Sequence, residues 1–274
     1  MAVDQVTART RVVFMIGTPI AQAGSPALFN RHFAETGADR VVVPLDLKPA
    51  QVGAFFAMLR DMANCDGAIV TIPHKQATAR AVDERTPDAE RLGLVNVVRR
   101  EPDGRLVGDM TDGRGFWSKA GEMGFAPKGR TALVAGPGAA GTAICDAFLA
   151  MGGSALTLIG RDDAELAPAM EILPDQQMTA TTSMPDDLSC FDVVVNATPV
   201  GMAYAPGNLF PKELLSTLPK SALVADIITD PVETEQLQAA TALGLATFRG
   251  RDLNEGQFRI IGGHLRVLGK SAKR

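Results

Sequence analysis

Apolar positions along this chain come in two rhythms. Short unbroken runs bounded by glycine or proline read as buried strands, and runs spaced three and four apart read as one-sided helices. Arg11–Ile16 is the first strand, closed by Gly17, and the loop after it leads to Ser25-Pro26, a serine N-cap followed by a proline in the first helical turn. That helix runs through Phe29, Phe33 and Ala34 until Gly37 stops it. Val41–Leu45 is a second strand, residues 50–62 place Val52, Phe55, Phe56 and Leu59 on one helical face, and Gly67–Pro73 is a third strand. His74-Lys75 opens the next helix. Strand alternating with helix predicts a parallel sheet over residues 10–80. Pro87–Leu92 follows as a short helix, then a hairpin over Val95–Val107 that turns at Pro102-Asp103-Gly104, then a glycine-rich loop, Gly108–Gly115, before a helix carrying Phe116 and Trp117.

The pattern then begins again. Thr131–Ala135, Ala155–Ile159, Asp192–Asn196 and Ala222–Asp226 are four further buried runs separated by helical or turn sequence. A boundary between two α/β domains is expected near residues 115–128, and the amphipathic stretch 250–268 either ends the second domain or crosses back to the first. The first of the four runs leads into Gly136-Pro-Gly138-Ala139-Ala140-Gly141 and then a helix. Strand, Gly-x-Gly-x-x-Gly, helix is the context of a dinucleotide fingerprint. Gly136 permits the tight turn, Gly138 lets backbone approach a pyrophosphate, and Gly141 lets helix and strand pack closely. The helix N-terminus then faces the anion with unpaired N–H groups. A glycine-rich turn in an ordinary α/β domain is the plainer alternative.

Totals narrow the class of partner. Over 274 residues, 46% are hydrophobic, 21% are charged and the net charge is -4, so no basic field invites nucleic acid. No apolar run approaches the roughly 20 residues that cross a bilayer, and Met1–Gln5 shows no charged-then-apolar leader, so a cytoplasmic protein with no membrane partner is expected. Three scattered cysteines and three histidines give neither a disulfide framework nor a metal-ligand cluster.

Individual polar residues are weak signals. Lys75 stands just beyond the third strand at a helix N-terminus, where the macrodipole disfavours its cationic form, which suits proton transfer; taken alone it reads more readily as a solvated surface lysine. Asp112 fits a common Thr-Asp-Gly turn, Asn96 a hairpin polar position, and His74 a structural neighbour. Asn196–Met202 leaves a strand in a polar turn that could grip a cofactor or merely connect to a helix.

The order of these pieces carries more. Ser25-Pro26, Thr71–Lys75, Val95-Asn96, Thr111-Asp112 with Gly115-Phe116, the glycine fingerprint, Asn196–Met202, Asp226, Thr234, Gly250 and Gln257 together resemble the shikimate/quinate dehydrogenase family. The resemblance covers nearly the whole chain, from about Gly17 to Gln257. It implies a two-domain α/β fold: a substrate domain over residues 1–115, completed by about 250–274, and a Rossmann-type NAD(P) domain over 116–249, with the final helix returning to the substrate domain. It also implies reduction of 3-dehydroshikimate to shikimate in a cleft between the domains. Lys75 and Asp112 match the catalytic pair, Thr71, Asn96 and Gln257 match residues that bind ring hydroxyls, and Ser25 matches one of two serines that hold the carboxylate. Cofactor contacts are implied for Gly136, Gly138, Ala139, Ala140, Gly141, Gly160, Arg161, Asp162, Thr198, Pro199, Met202, Ile227 and Gly250.

Departures gather at the substrate positions. Ala23 stands where the family has serine, Gln22 and Phe29 where it has histidine, Ile69 and Met110 where it has asparagine, Val97 where it has threonine, and Thr229 where it has tyrosine. Ala23 and Thr229 therefore face the same substrate as Ser25 with shorter or less polar groups, and a cyclic hydroxy acid related to shikimate, such as quinate, is an alternative ligand. Arg161 matches a phosphate-binding arginine and favours NADP, while Asp162 replaces a threonine and leaves NAD possible. A ligand or dinucleotide sensor, and a dehydrogenase for an unrelated hydroxy acid, are the rival functions; the retained Lys75 and Asp112 speak for an enzyme. A monomer or homodimer is expected.

Overall fold

A computed structural model describes residues 6–173 and 175–268. Met1–Gln5, read above for a leader, lies outside the described residues. The chain divides into two compact units, one ending at Thr111 and resuming at Gln257, the other comprising Asp112–Gly256.

The first unit contains β1 (Arg11–Gly17), α1 (Ser25–Thr36), β2 (Arg40–Asp46), α2 (Val52–Asp61), β3 (Cys65–Val70), α3 (Lys75–Ala81), β4 (Glu84–Arg85), α4 (Pro87–Leu92), β5 (Val97–Arg100) and β6 (Leu106–Asp109). The second contains α5 (Asp112–Glu122), β7 (Thr131–Ala135), α6 (Ala139–Ala150), β8 (Ala155–Ile159), α7 (Asp163–Ile172), β9 (Met178–Thr181), β10 (Val193–Asn196), α8 (Lys212–Leu215), β11 (Leu223–Asp226), α9 (Glu235–Ala242) and β12 (Ala246–Phe248). The last helix, α10 (Gly250–His264), starts in the second unit and finishes in the first.

In the first unit the strand order is β2-β1-β3-β5-β6-β4. The β1–β3 core is parallel, as alternation with helices requires. The hairpin joins the same sheet, so the sheet is mixed: β5 runs antiparallel to β3 and to β6. Period-two alternation along β1 sends Val13 and Met15 to one face, where they meet Phe29, Phe33 and Val42 together with Ile261 and Leu265 from the chain's last stretch. Phe14 points the other way, its ring 5.6 Å from that of Phe55 on α2.

The second unit is a wholly parallel sheet of order β12-β11-β10-β7-β8-β9. Alternate residues of β7 feed its two faces. Ala132 and Val134 pack with Phe116, Trp117, Ile144 and Phe148, whereas Leu133 and Ala135 pack with Leu215, Leu218 and Ala240. This is the doubly wound arrangement in which chain order reverses beside the first strand, here between β7 and β10.

Several local expectations change. Ser25 does not cap α1: Gly24 is the N-cap and makes no side-chain bond, so Ser25 is the first helical residue. The glycine-rich stretch before Phe116 is not a loop throughout, because α5 begins at Asp112 and contains Gly113 and Gly115. A Cβ on Gly113 would run into the carbonyl of Ala143, and one on Gly256 into that of Gly115. These glycines let α6 and α10 approach α5 closely. The short strands β4, β9 and β12 were not legible, having two to four residues each, too few to show a period.

Close helix contact makes a paired prediction. Gly113→Ala should destabilise the protein by about 1–3 kcal/mol, the ordinary cost of overpacking. Gly121→Ala, in the same helix with open space around it, should stabilise by about 0.5–1 kcal/mol. Urea denaturation of both variants checks the pair; equal effects would mean that α5 and α6 do not pack this closely.

Candidate functional site

The dinucleotide end of the second unit is built from backbone. Gly136 follows β7 with φ of 103°, and a Cβ there would lie 2.8 Å from the Ala197 carbonyl carbon. Gly141 sits in the first turn of α6 so near Gly136 that a side chain would strike the Gly136 carbonyl oxygen. Gly138 differs: it is the exposed N-cap of α6, makes no side-chain bond, and a Cβ would meet nothing within 4 Å. The N–H groups of Ala139 and Ala140 open the helix beyond it. Two glycines are thus forced by packing and one borders open space at a helix N-terminus, and that combination fits a pyrophosphate.

Beside it, β8 ends at a buried Gly160 that leans on Leu166. Arg161 extends into solvent with 85% of its side chain exposed, its guanidinium 3.2 Å from Glu165. Glu165 also accepts a 2.7 Å bond from the Arg161 backbone N–H. Asp162 caps α7, its carboxylate accepting from the Glu165 N–H at 2.8 Å. Asp162 therefore has a local structural task. Glu165 is the residue that sequence reasoning missed, although its i,i+4 spacing from Arg161 was a readable signal.

Across the switch point, Thr198, Pro199 and Met202 lie on the loop after β10, while Ile227 and Thr229 lie on the loop after β11. The first loop touches the fingerprint turn, for a Cβ on Gly136 would stand 3.0 Å from the Thr198 methyl. Gly250 at the head of α10 packs directly against the Ile227 and Ile228 carbonyls. The cofactor residues named from sequence therefore line adjoining loops along one edge of this sheet.

In the first unit, polar groups gather where β1 and β3 end. Lys75 is the first residue of α3 and is buried, with 8% exposure, rather than solvated. Its carbonyl accepts from the Val95 N–H at 3.1 Å, which sets Asn96 next to it. The carbonyl of buried Asn96 accepts from the Val70 N–H at 2.7 Å, and its side-chain oxygen accepts from the Thr111 N–H at 2.9 Å. Thr71 is tied to β1 through the Ile16 carbonyl at 2.9 Å. His74 spends Nε2 on the Leu47 carbonyl, 2.7 Å away, and is structural. Thr71, Lys75 and Asn96 are thus neighbours.

The same unit also gathers apolar residues. Ala23, Ile20, Phe29, Ile69 and Phe258 belong to one hydrophobic cluster, with the Phe29 and Phe258 rings 4.7 Å apart. Buried Ser25 opens α1 between Ala23 and Phe29, and buried Gln257 directly precedes Phe258. Asp112 and Thr229 belong to the other unit: Asp112 is a buried carboxylate opening α5, where the macrodipole favours negative charge, and Thr229 is half-buried. Among the described residues, no group of histidine, cysteine or acidic side chains could hold a metal ion, and no helix is long and apolar enough to cross a membrane. Burial pushes the Cys65 thiol up to about 11, so it has little thiolate character.

Residues 15–98 match the family model described as the shikimate dehydrogenase substrate binding domain. A shikimate dehydrogenase (NADP(+)) of Rhodospirillum rubrum is 37% identical over 257 residues, covering 89% of this chain and 88% of its own. Among solved structures, shikimate 5-dehydrogenase of Listeria monocytogenes in complex with shikimate and NAD matches with a TM-score of 0.85 at 26% identity, over 98% of this chain and 96% of that one. A 5-ketofructose reductase of Gluconobacter sp. strain CHM43 matches with a TM-score of 0.80 at 26% identity, over 94% of each. An open glycine fingerprint, a buried lysine beside Asn96 and near-full-length similarity agree: the chain belongs to the shikimate dehydrogenase family.

Proposed function

We propose that this chain is an NAD(P)-dependent oxidoreductase that interconverts 3-dehydroshikimate and shikimate, or a closely related cyclic hydroxy acid such as quinate. The observation that carries the proposal is the burial of Lys75 beside Asn96 and Thr71 at the end of β3. Lysine is almost never buried without a partner or a task. When bound, the dinucleotide supplies or accepts the hydride. Lys75 protonates the carbonyl oxygen as the ketone becomes an alcohol, and removes that proton in the reverse direction. Asp112 accepts a hydrogen bond from the same hydroxyl and orients the lysine. Thr71, Asn96 and Gln257 hold ring hydroxyls, and Ser25 holds the carboxylate. NADP is the preferred dinucleotide and NAD the second. The exposed guanidinium of Arg161 and the NADP(+) in the names of relatives support that preference.

A second reading is favoured by the apolar cluster. Ala23, Phe29 and Ile69 belong to one hydrophobic cluster in the unit that holds Ser25, and a site bordered by that cluster leaves a carboxylate short of donors, which is costly. The similarity to a 5-ketofructose reductase supports a ring ketone or keto sugar without that carboxylate.

Three measurements test these readings. Lys75→Ala should lower kcat by about 10²- to 10⁴-fold while leaving dinucleotide affinity unchanged, the usual scale of positioned acid–base catalysis. Parent-level turnover in that variant sinks the mechanism, and an inactive parent that binds a dinucleotide favours a sensor. For the cofactor, calorimetric titration of Arg161→Ala should show NADP weakened roughly ten- to a hundredfold with NAD spared. Glu165→Gln, which frees the guanidinium, should strengthen NADP; equal effects on both dinucleotides would remove Arg161 from the 2′-phosphate. For the substrate, initial rates should show a KM for shikimate raised by about one to two orders of magnitude over a site with both serine donors. Ala23→Ser should improve kcat/KM for shikimate, and a parent with micromolar KM would overturn the reading of this cluster.

A further inference from the structure

The second unit completely buries a carboxylate that the proposed chemistry does not use. Asp226 ends β11 fully buried, and burial pushes its carboxyl above the usual carboxylate range. Its Oδ2 accepts from the Thr234 hydroxyl at 2.8 Å and from Asn196 Nδ2 at 3.3 Å, and its Oδ1 accepts from the Ile228 N–H at 3.1 Å. Asn196 is its register partner on β10. The same Asn196 amide donates to the Val200 carbonyl at 2.8 Å, and its oxygen accepts from the Thr198 N–H at 3.0 Å and the Thr198 hydroxyl at 2.7 Å. Thr234 in turn caps α9. One carboxylate and one amide therefore fasten the loop after β10 to the loop after β11. Gly201, with φ of 112°, lets the two loops touch: a Cβ there would stand 3.0 Å from Ile228 Cδ1.

The direction of a bound dinucleotide follows from the sheet. The fingerprint turn after β7 suits the pyrophosphate and Arg161 after β8 suits the adenosine ribose. A dinucleotide laid along the carboxyl edge then carries its nicotinamide half to the other side of the switch point, over β10 and β11. Those are the two loops that the buried pair fastens.

We infer that Asp226 and Asn196 are positioning residues for the nicotinamide half of the cofactor, acting through the loops 197–202 and 227–234 that their side chains tie together. The inference rests on the dinucleotide reading of this unit. A buried acid serving only packing would support the whole unit evenly, whereas this one concentrates its bonds on two exit loops and leaves the adenosine end alone.

Calorimetric titration with two probes separates these roles: NADP, and 2′-phospho-ADP-ribose, which lacks the nicotinamide. Asp226→Asn keeps the shape but sets an amide against donors. It should weaken NADP roughly ten- to a hundredfold, the scale of a lost charge-assisted bond, and alter the nicotinamide-free probe less than about twofold. Thr234→Val should show a smaller loss of the same pattern and Thr234→Ser should restore affinity; this pair decides the matter if Asp226→Asn does not fold. Equal weakening of both probes, or Thr234→Val matching the parent with both, overturns the inference while leaving the dinucleotide reading intact. A parent that binds neither probe overturns both.

Discussion

Gly141 presses so closely on the Gly136 carbonyl that no side chain could stand between them. Everything at the nucleotide end depends on that approach. It brings the first turn of α6 onto the end of β7, so that the helix opens on backbone N–H groups with no side chain capping them. The same closeness presses the turn against Ala197 and Thr198, which links the fingerprint to the loop after β10. Backbone packed this tightly cannot drift, and recognition of a phosphate by main chain needs that fixity more than it needs any particular side chain.

The first unit solves a different problem, a lysine side chain inside protein. An ammonium loses hydration on burial, and that cost is tolerable only where polar atoms surround it. The ends of β1 and β3 gather polar residues in the neighbourhood of Lys75: Thr71, Asn96 and Thr111 are held by bonds from main chain to main chain or from main chain to side chain. The same unit holds the cluster of Ala23, Phe29, Ile69 and Phe258. Polar and apolar residues are thus segregated within one unit.

Much of this was legible in the chain. Thr131–Ala135, Ala155–Ile159 and Pro87–Leu92 begin and end where the apolar pattern says, and each runs directly into a glycine: Gly136, Gly160 and Gly93. The order of weak motifs identified the family, which the comparisons bear out. What sequence hides is contact. Gly113 and Gly115 read as loop because glycine serves turns and close helix packing equally well, and only the position of Ala143 distinguishes the two. Lys75 reads as a surface residue because a side chain's burial depends on partners far away in sequence. Glu165 was overlooked for the opposite reason: its partner Arg161 is one helical turn away, but a surface pair has no apolar periodicity to announce it. Glu84–Arg85 forms a strand with no apolar residue at all, so its pairing with β6 leaves no trace in the pattern.

The path of α10 has a consequence for how the molecule is made. Ile261 and Leu265 complete the core of the first unit, yet they are separated from the rest of it by the whole of Asp112–Gly256. During synthesis the ribosome releases the second unit's full set of strands before it releases these residues. Domains fold as units as the chain emerges, so the nucleotide unit can close while the earlier-made sheet still shows an uncovered apolar face. The part of the protein that is translated first is the part that is finished last.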